Sequence, residues 1–436
     1  MSKINQYIFI VITTIASLLY CQNFEGRKFK NSKIIKIPDL SFTEKVYSGL
    51  DILEQMDFNL LQGKSIVLVT NQTAVNRNGV HLLDILKSFS NIKIKGILEL
   101  EHGLWGVDDK RSKLIGREQI EPTHGARIID IFNKYEYPPS WVFKDVDYLL
   151  VDFQDTGSRY TTYIGTLTKI FESASKEKVE VIVLDRPNLI RGDIINGPIP
   201  RLEFQSLESY HLFPIRHGLT LGEMILIINE LGWIKGGQKI NLTIIPLSNW
   251  DRNNWYDEKN YIWKNPKPYI NDLKTLLAYN GMDLFRGTNL NLGFGTKKPY
   301  LVIGAPWLET NFLLKKLNEK KLGGVIFDRI KYRPKGSTNH YRVPLYDGLS
   351  CSGIEINIVD IDKYNPIYTA TTLMLLIHQL HPRQFQWKDN GYIDKLFGSD
   401  VLRLIASQKK DIDQLSPHWD KDIIKFYEFR KPYLLY

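Results

Sequence analysis

The chain has 436 residues, of which 43% are hydrophobic, and it carries a formal net charge of +9. A chain of this length is usually too long to fold around a single hydrophobic core, so we expect two packed domains. Because the lysines and arginines are scattered, the positive charge favours solubility and attraction to anionic surfaces, and no nucleic-acid partner is expected.

The N-terminus has the pattern of a signal peptide, which we assign to residues 1–20. An apolar stretch follows Lys3, is too short for a comfortable membrane span and ends in LLYC. Cys21 is therefore a predicted lipidation site, with Leu18 at the position that bacterial lipoprotein signals use. Residues 21–45 are polar and basic and are predicted to form a tether. The pattern predicts an exported bacterial lipoprotein of the periplasm or cell envelope, attached to the membrane through a lipid anchor only.

Four apolar runs further along the chain are predicted strands of a parallel sheet, and each ends in polar residues. In chain order they are SIVLVTNQT, IKIKGILELEHG, YLLVDFQD and EVIVLDRPN. After the third run, Gly157 marks a turn into a predicted helix with one apolar face from Ile164 to Ala174. For a single strand end, a helix cap or a local hydrogen bond is the commoner explanation. Four such ends would meet at one edge of the sheet, which favours a ligand-binding cleft there.

The polar residues at these strand ends, with an RHG segment downstream, are the candidate site residues. They are Asn71, Glu101, His102, Asp152, Gln154, Asp155, Arg159, Tyr160, Tyr163, Asp185, Arg186, Arg216 and His217. Carboxylates, amides, arginines and aromatic residues suit sugars, which are bound by planar polar groups and aromatic faces. The signatures of dinucleotide, ATP, zinc-protease and serine-hydrolase sites are absent, so we expect neither a cofactor nor a metal.

Seven motifs occur in an order typical of one protein family. They are LVTNQT, EHGLWG, DFQDTGSRYTTYI, LDRPN, RHGLTLGE, GTNL and the C-terminal FRKPYLLY. On these motifs the chain resembles the bacterial exo-β-N-acetylmuramidase family from about Ser48 to Tyr436. The resemblance implies an α/β fold with a Rossmann-like parallel-sheet domain, residues 46–265, and a smaller mixed α/β domain, residues 266–436, with the cleft between them. It also implies release of N-acetylmuramic acid from the non-reducing end of peptidoglycan fragments.

The resemblance further implies that Glu101, in the EHG motif, is catalytic. A strand-end Glu beside the apolar Leu98 and Leu100 is expected to have its pKa raised by desolvation, as suits a general acid. The alternative for this residue is a cap on the following turn. A second role, as base or orienting group, falls to Asp155 or Asp152, unless the N-acetyl group of the substrate attacks instead.

Three arginines are the predicted partners of the lactyl carboxylate that distinguishes muramic acid from glucosamine. Arg159, Arg186 and Arg216 qualify because a guanidinium group matches a carboxylate bidentately, and ion pairs with nearby Asp residues are the alternative.

Other residues are predicted sugar contacts. Tyr160 and Tyr163 lie three apart at the predicted helix start, so one helix face would present both to the cleft, although core packing is as consistent for Tyr163. His102 would bind the sugar or hold Glu101, or else be a satisfied structural histidine. Asn289, in GTNL, completes the predicted contacts.

Two segments depart from the family pattern. The usual EGTNLSEGRGT reads RGTNLNLGFGT at residues 286–296, and the usual PSPN reads PKPY at residues 266–269. At Arg286 a base replaces the family's acid, while Leu292 and Phe294 make the rim more apolar. These changes favour an alternative function, a catalytically silent lipoprotein that binds peptidoglycan fragments; a surface scaffold is a third hypothesis. The sequence does not predict an oligomeric state.

Overall fold

The computed structural model describes residues 29–36, 45–106, 119–256, 261–336 and 343–436. Within these ranges, eight strands form the larger sheet. They are β1 (Ser32–Ile34), β2 (Ser65–Thr70), β3 (Lys93–Glu99), β4 (Gln119–Glu121), β5 (Ala126–Asp130), β6 (Tyr148–Asp152), β7 (Glu180–Leu184) and β8 (Leu242–Ile245). The strand order is β1-β8-β7-β6-β2-β3-β5-β4, and only the β4–β5 pair is antiparallel. The predicted parallel sheet is thus confirmed.

The four strands predicted from apolar runs are neighbours in this sheet, in the order β7-β6-β2-β3. Helices cover both faces, so the strand interiors are continuously apolar. They are α1 (Gly49–Gln55) and α2 (Leu82–Leu86) on one face, and α3 (Tyr163–Lys176) and α4 (Leu221–Glu230) on the other. The polar strand ends therefore lie along one edge of a sheet that is buried on both faces.

The helix predicted after Gly157 is α3, and its expected apolar face is buried against the sheet. It begins at Tyr163, with Thr162 as its N-cap residue. Tyr160 lies before the helix in the turn, so Tyr160 and Tyr163 do not share a helix face as predicted. Both tyrosine side chains are buried.

The smaller domain has a three-stranded antiparallel sheet with helices packed on it. Its strands, in the order β10-β11-β9, are β9 (Val302–Ala305), β10 (Val325–Tyr332) and β11 (Cys351–Ile358). The helices after α4 are α5 (Leu273–Met282), α6 (Thr310–Lys320), α7 (Pro366–Leu380), α8 (Tyr392–Phe397), α9 (Val401–Ser407), α10 (Ile412–Leu415) and α11 (Pro417–Arg430). One large apolar cluster joins these elements. The fold is therefore α/β with a large parallel sheet and a second, smaller domain.

The end of the chain returns to the larger sheet. Phe426 and Phe429 of α11 belong to the same buried apolar cluster as residues of α3 and α4. The hydroxyl of Tyr436 donates a hydrogen bond of 2.8 Å to Asp185 at the end of β7. The C-terminal segment thus stabilises the first domain, which the predicted division at residues 265 and 266 did not anticipate.

The predicted signal peptide and Cys21 lie outside the described residues. Part of the predicted tether is not a free segment, because β1 pairs with β8 and Ser32 donates a hydrogen bond of 2.7 Å to Glu230. In the part of the chain that the structure describes, no helix has both the length and the apolar character to cross a membrane.

Candidate active site

A cavity of about 400 Å³ lies between the end of β3 and loops of the smaller domain. Glu101 and His102 line it from the large sheet. From the smaller domain and the segment leading to it, the lining includes Lys267, Tyr269, Asp283, Arg286, Leu292, Phe294, Tyr300, Lys335, Leu345 and Lys388. The cavity thus combines carboxylate, cationic and aromatic groups, as the expected cleft between the domains requires.

The carboxyl group of Glu101 has cations and a hydroxyl group around it. Its side chain is 12% exposed, and its Oε2 accepts a hydrogen bond of 2.9 Å from the hydroxyl of Thr162. The ammonium nitrogen of Lys267 lies 3.6 Å from Oε2, and Nε2 of His102 lies 3.8 Å from it. Sequence reasoning missed Thr162 as a site residue, although it lies inside the RYTTY motif.

These neighbours determine the ionisation state of Glu101. Burial raises the pKa of its carboxyl group, but Lys267, His102, the Thr162 hydrogen bond and Arg286 together outweigh burial and lower the pKa to about 2. Glu101 is therefore a carboxylate at neutral pH in this structure. The predicted rise in pKa from apolar neighbours was wrong, because the charges nearby act more strongly than the desolvation.

The turn after β3 directs Glu101 and His102 into the cavity. His102 and Gly103 both have left-handed backbone conformations, with φ of 75° and 72°. Such a conformation is uncommon for a residue with a side chain. Glu99 holds the turn, since its Oε2 accepts a hydrogen bond of 3.1 Å from the backbone N–H of Leu104. Burial raises the pKa of Glu99 to about 7.

A second carboxyl group in the cavity wall is already engaged by an arginine. Asp283 Oδ2 accepts a hydrogen bond of 2.9 Å from Nε of Arg286, and Nη2 of the same guanidinium group lies 2.8 Å from it in an ion pair. Arg286 also lies 3.5 Å from Glu208. The base that departs from the family pattern is therefore held between two acids, and Asp283 was not identified from the sequence.

The other three strand ends bind one another and are absent from the cavity lining. Asp152 accepts two hydrogen bonds from Arg186, at 2.5 and 2.9 Å. The hydroxyl of Tyr261 accepts from Arg186 at 3.0 Å and donates to Gln154 at 3.3 Å. Asn71 accepts from the backbone N–H of Thr73 at 3.0 Å. For these strand ends, local hydrogen bonds and a buried ion pair explain the polar residues better than a ligand does.

Asp155 is buried and does not belong to the described cavity lining. Its Oδ2 accepts hydrogen bonds from the backbone N–H of Gly157, at 2.6 Å, and from Nε2 of His217, at 3.2 Å. Since the N–H of Leu219 donates to Nδ1 of His217, the neutral ring carries its proton on Nε2. Burial, and then the charges of Glu101 and Asp155, raise the pKa of Tyr163 well above its ordinary value.

The three predicted carboxylate-binding arginines do not line the cavity. Arg159 donates to the carbonyl oxygens of Leu396 and Phe397, both at 2.8 Å, and so connects the domains. Arg216 donates to the carbonyl of Ile190. Arg186 is engaged by Asp152, as described above. In this structure their guanidinium groups hold the fold, which corrects the predicted contact with a ligand.

Three more candidates also make internal contacts. Asp185 accepts hydrogen bonds of 2.7 Å from the hydroxyl of Thr220 and from the N–H of Gly222 at the start of α4. Asn289 accepts from the N–H of Gln386 at 3.0 Å. Tyr160 packs edge-on against Tyr279, with 6.2 Å between ring centroids. None of these three belongs to the described cavity lining.

Comparisons with known proteins agree with this architecture. The N-terminal and C-terminal models of exo-β-N-acetylmuramidase NamZ match residues 66–274 and 277–436. A peptidoglycan β-N-acetylmuramidase NamZ from Bacillus subtilis (strain 168) is 31% identical over 392 residues, which cover 90% of this chain and 92% of the relative. Two crystal structures of DUF1343 family proteins from Bacteroides fragilis NCTC 9343 are each 26% identical, with TM-scores of 0.81 and 0.72. They cover 90% of this chain and 100% and 99% of their own chains. The chain therefore belongs to the exo-β-N-acetylmuramidase NamZ family.

Proposed function

We propose that this protein is a glycoside hydrolase that releases N-acetylmuramic acid, or a related muramyl sugar, from the non-reducing end of peptidoglycan fragments. The observation that carries the proposal is the carboxyl group of Glu101, which projects into a cavity of about 400 Å³ in a chain of this family. Cavities of this size bind ligands as large as a sugar unit. The Bacillus subtilis relative is named for activity on peptidoglycan.

The positions of the carboxyl groups support a route assisted by the substrate. Among the described residues, Glu101 and Asp283 are the acids in the cavity lining, and Arg286 already engages Asp283. Asp152 and Asp155 make internal contacts. We therefore assign the nucleophile to the N-acetyl oxygen of the substrate, which attacks the anomeric carbon. The bond from the N-acetyl oxygen replaces the glycosidic C–O bond, and the leaving oxygen takes a proton from Glu101. Water then attacks the anomeric carbon, the bond to the N-acetyl oxygen breaks, and the proton of the water passes to Glu101.

An ionised Glu101 cannot donate that proton, so its pKa has to rise when the substrate binds. The ionised state of Glu101 in this structure therefore favours an alternative function, that of a catalytically silent protein that binds peptidoglycan fragments. In that protein Glu101 would remain a carboxylate and accept hydrogen bonds from the sugar. The altered segment at residues 286–296 contributes to this alternative, because Arg286 helps to lower the pKa of Glu101.

Hydrolysis of a chromogenic N-acetylmuramic acid glycoside separates the two functions. We expect turnover by the wild type and a fall of about 10²–10⁴-fold in Glu101→Gln, since the amide keeps the shape but cannot donate a proton. Glu180→Gln, at the exposed first residue of β7, is the matched control. Binding of the sugar without turnover in the wild type would favour the silent binding protein. Near-normal turnover in Glu101→Gln would remove Glu101 from the mechanism.

We also propose that the protein is exported and attached to a membrane through a lipid on Cys21. The support is the apolar segment that ends in LLYC, with Leu18 three residues before the cysteine. Export agrees with a substrate found in the cell wall. The proposed partners are a peptidoglycan-derived sugar and, through the anchor, a lipid bilayer.

A further inference from the structure

We propose that Lys267 is the receptor for the lactyl carboxylate of a muramyl sugar, and that it makes the site prefer this sugar to one without the carboxylate. The inference rests on the proposed function, because it assumes that the cavity binds the sugar. It assigns to a lysine the role that the sequence suggested for three arginines.

The backbone around Lys267 is held firmly. The residue lies between Pro266 and Pro268, whose rings fix the backbone φ on both sides. The hydroxyl of Tyr163 donates a hydrogen bond of 3.2 Å to the carbonyl of Pro266. The ammonium group lies 5.7 Å from the centre of the Tyr279 ring. Lys267 is only 9% exposed, so its charge is placed in a largely desolvated part of the cavity.

The ammonium group retains donors for a ligand. The ammonium nitrogen forms an ion pair with Glu101 Oε2, but their separation of 3.6 Å is too long for a good hydrogen bond. Across the described ranges, Nζ of Lys267 has no hydrogen-bond acceptor at bonding distance. A buried ammonium group with free N–H donors gains most from an anionic acceptor. The lactyl carboxylate has that chemistry.

The other cations of the cavity are less suited to this role. The charge of Arg286 is already paired with Asp283 at 2.8 Å, and it lies 3.5 Å from Glu208. Lys335 and Lys388 line the cavity but are exposed, so water screens their charges. Of the lysines in the described lining, Lys267 is the buried one, and it is the lysine paired with Glu101.

Carboxylate binding at Lys267 would also act on Glu101. A ligand carboxylate at the same ammonium group brings a second negative charge next to Glu101, and two neighbouring carboxylates raise each other's proton affinity. Glu101 then takes a proton from solvent, which it later gives to the leaving oxygen. Several charged or titratable groups among the described residues interact electrostatically with Glu101. They are His102, Tyr163, Lys267, Tyr279 and Arg286. A sugar without the carboxylate leaves Glu101 ionised.

The direct test measures binding and needs no turnover. Isothermal titration calorimetry with N-acetylmuramic acid and N-acetylglucosamine gives the preference of each variant for the carboxylate. We expect Lys267→Met to reduce the wild-type preference by about tenfold or more, and Lys267→Arg to keep part of it. Lys274→Met, at an exposed position on α5, is the matched control and keeps the full preference.

An unchanged preference in folded Lys267→Met, or a wild type that does not distinguish the two sugars, would overturn the proposal. Wild type that binds selectively but hydrolyses nothing would refute the enzymatic function and leave the role of Lys267 intact. Titrations in buffers of different ionisation enthalpy test the coupling, since N-acetylmuramic acid should take up more protons on binding than N-acetylglucosamine. Equal uptake for both sugars would overturn the coupling to Glu101.

Discussion

The hydroxyl of Thr162 donates a hydrogen bond to the carboxylate of Glu101 and so joins the start of α3 to the turn after β3. Thr162 is the N-cap residue of α3, yet its side chain makes no hydrogen bond to the N–H groups of its own helix. The hydroxyl therefore binds Glu101 in the site and does not cap the helix. The positive end of the helix dipole also favours the negative charge of Glu101.

Thr162→Val should lower kcat without unfolding the protein. The valine keeps the shape but removes the hydrogen bond that orients Glu101, and a misplaced catalytic group should lower kcat by roughly tenfold or more. The variant should lose about 1.5–3 kcal/mol of stability with this bond to a charged group, but it should remain folded, because the hydroxyl does not cap α3. Thr166→Val, one turn along the helix, is the control for the substitution itself. A folded Thr162→Val protein with wild-type kcat would show that this bond does not position Glu101.

Acid should reduce the stability of the wild type more than that of Glu101→Gln. The pKa of Glu101 is about 2 in the folded protein, against an ordinary value of 4.5. A lowered folded pKa contributes stability that is present above the ordinary value and lost as the pH falls toward the folded one. The advantage of wild type over Glu101→Gln should therefore shrink as the pH falls from about 6 toward 2, by at most about 3 kcal/mol. Urea unfolding at several pH values measures it, and a constant difference would contradict the lowered pKa.

Arg286→Met should destabilise the protein because it leaves the buried Asp283 without its guanidinium partner. Removing one member of a buried ion pair costs about 3 kcal/mol or more. The double variant Asp283→Asn/Arg286→Met should recover most of the loss, and a double-mutant cycle by chemical unfolding measures the coupling. Arg286→Glu, the change toward the family pattern, would place a third acid beside Asp283 and Glu208. Additive single effects in the cycle would mean that the pair does not contribute to stability.

Lipoprotein processing predicts a mature protein whose first residue is Cys21 and carries a lipid. The apolar segment ending in LLYC is the reason for this expectation. Mass spectrometry of the N-terminal peptide from membrane fractions gives the mass of the modification. Cys21→Ser should release the protein from the membrane fraction. A chain that retains Met1, or one that begins downstream of Cys21, would argue against this processing.

The large sheet and the position of Glu101 at a strand end both follow from local patterns in the sequence. A continuous apolar run, as in β6, indicates a strand that is buried on both faces. The helical spacing of the apolar residues in α3 indicates a helix that is buried on one face. Both elements could therefore be predicted from local patterns. Parallel pairing then required the polar ends of β7, β6, β2 and β3 to meet at one edge, and the structure has them as neighbours.

The role of each polar strand end depends on contacts between segments that are distant in the sequence. Asp152 and Arg186 neutralise each other across two strands, whereas Glu101 faces the cavity, and no local pattern distinguishes these outcomes. The pKa of Glu101 also depends on contacts between distant segments. Its apolar neighbours in sequence predict a rise, but Lys267 and Arg286 come from distant segments, and Coulomb interactions depend on distance in space rather than along the chain.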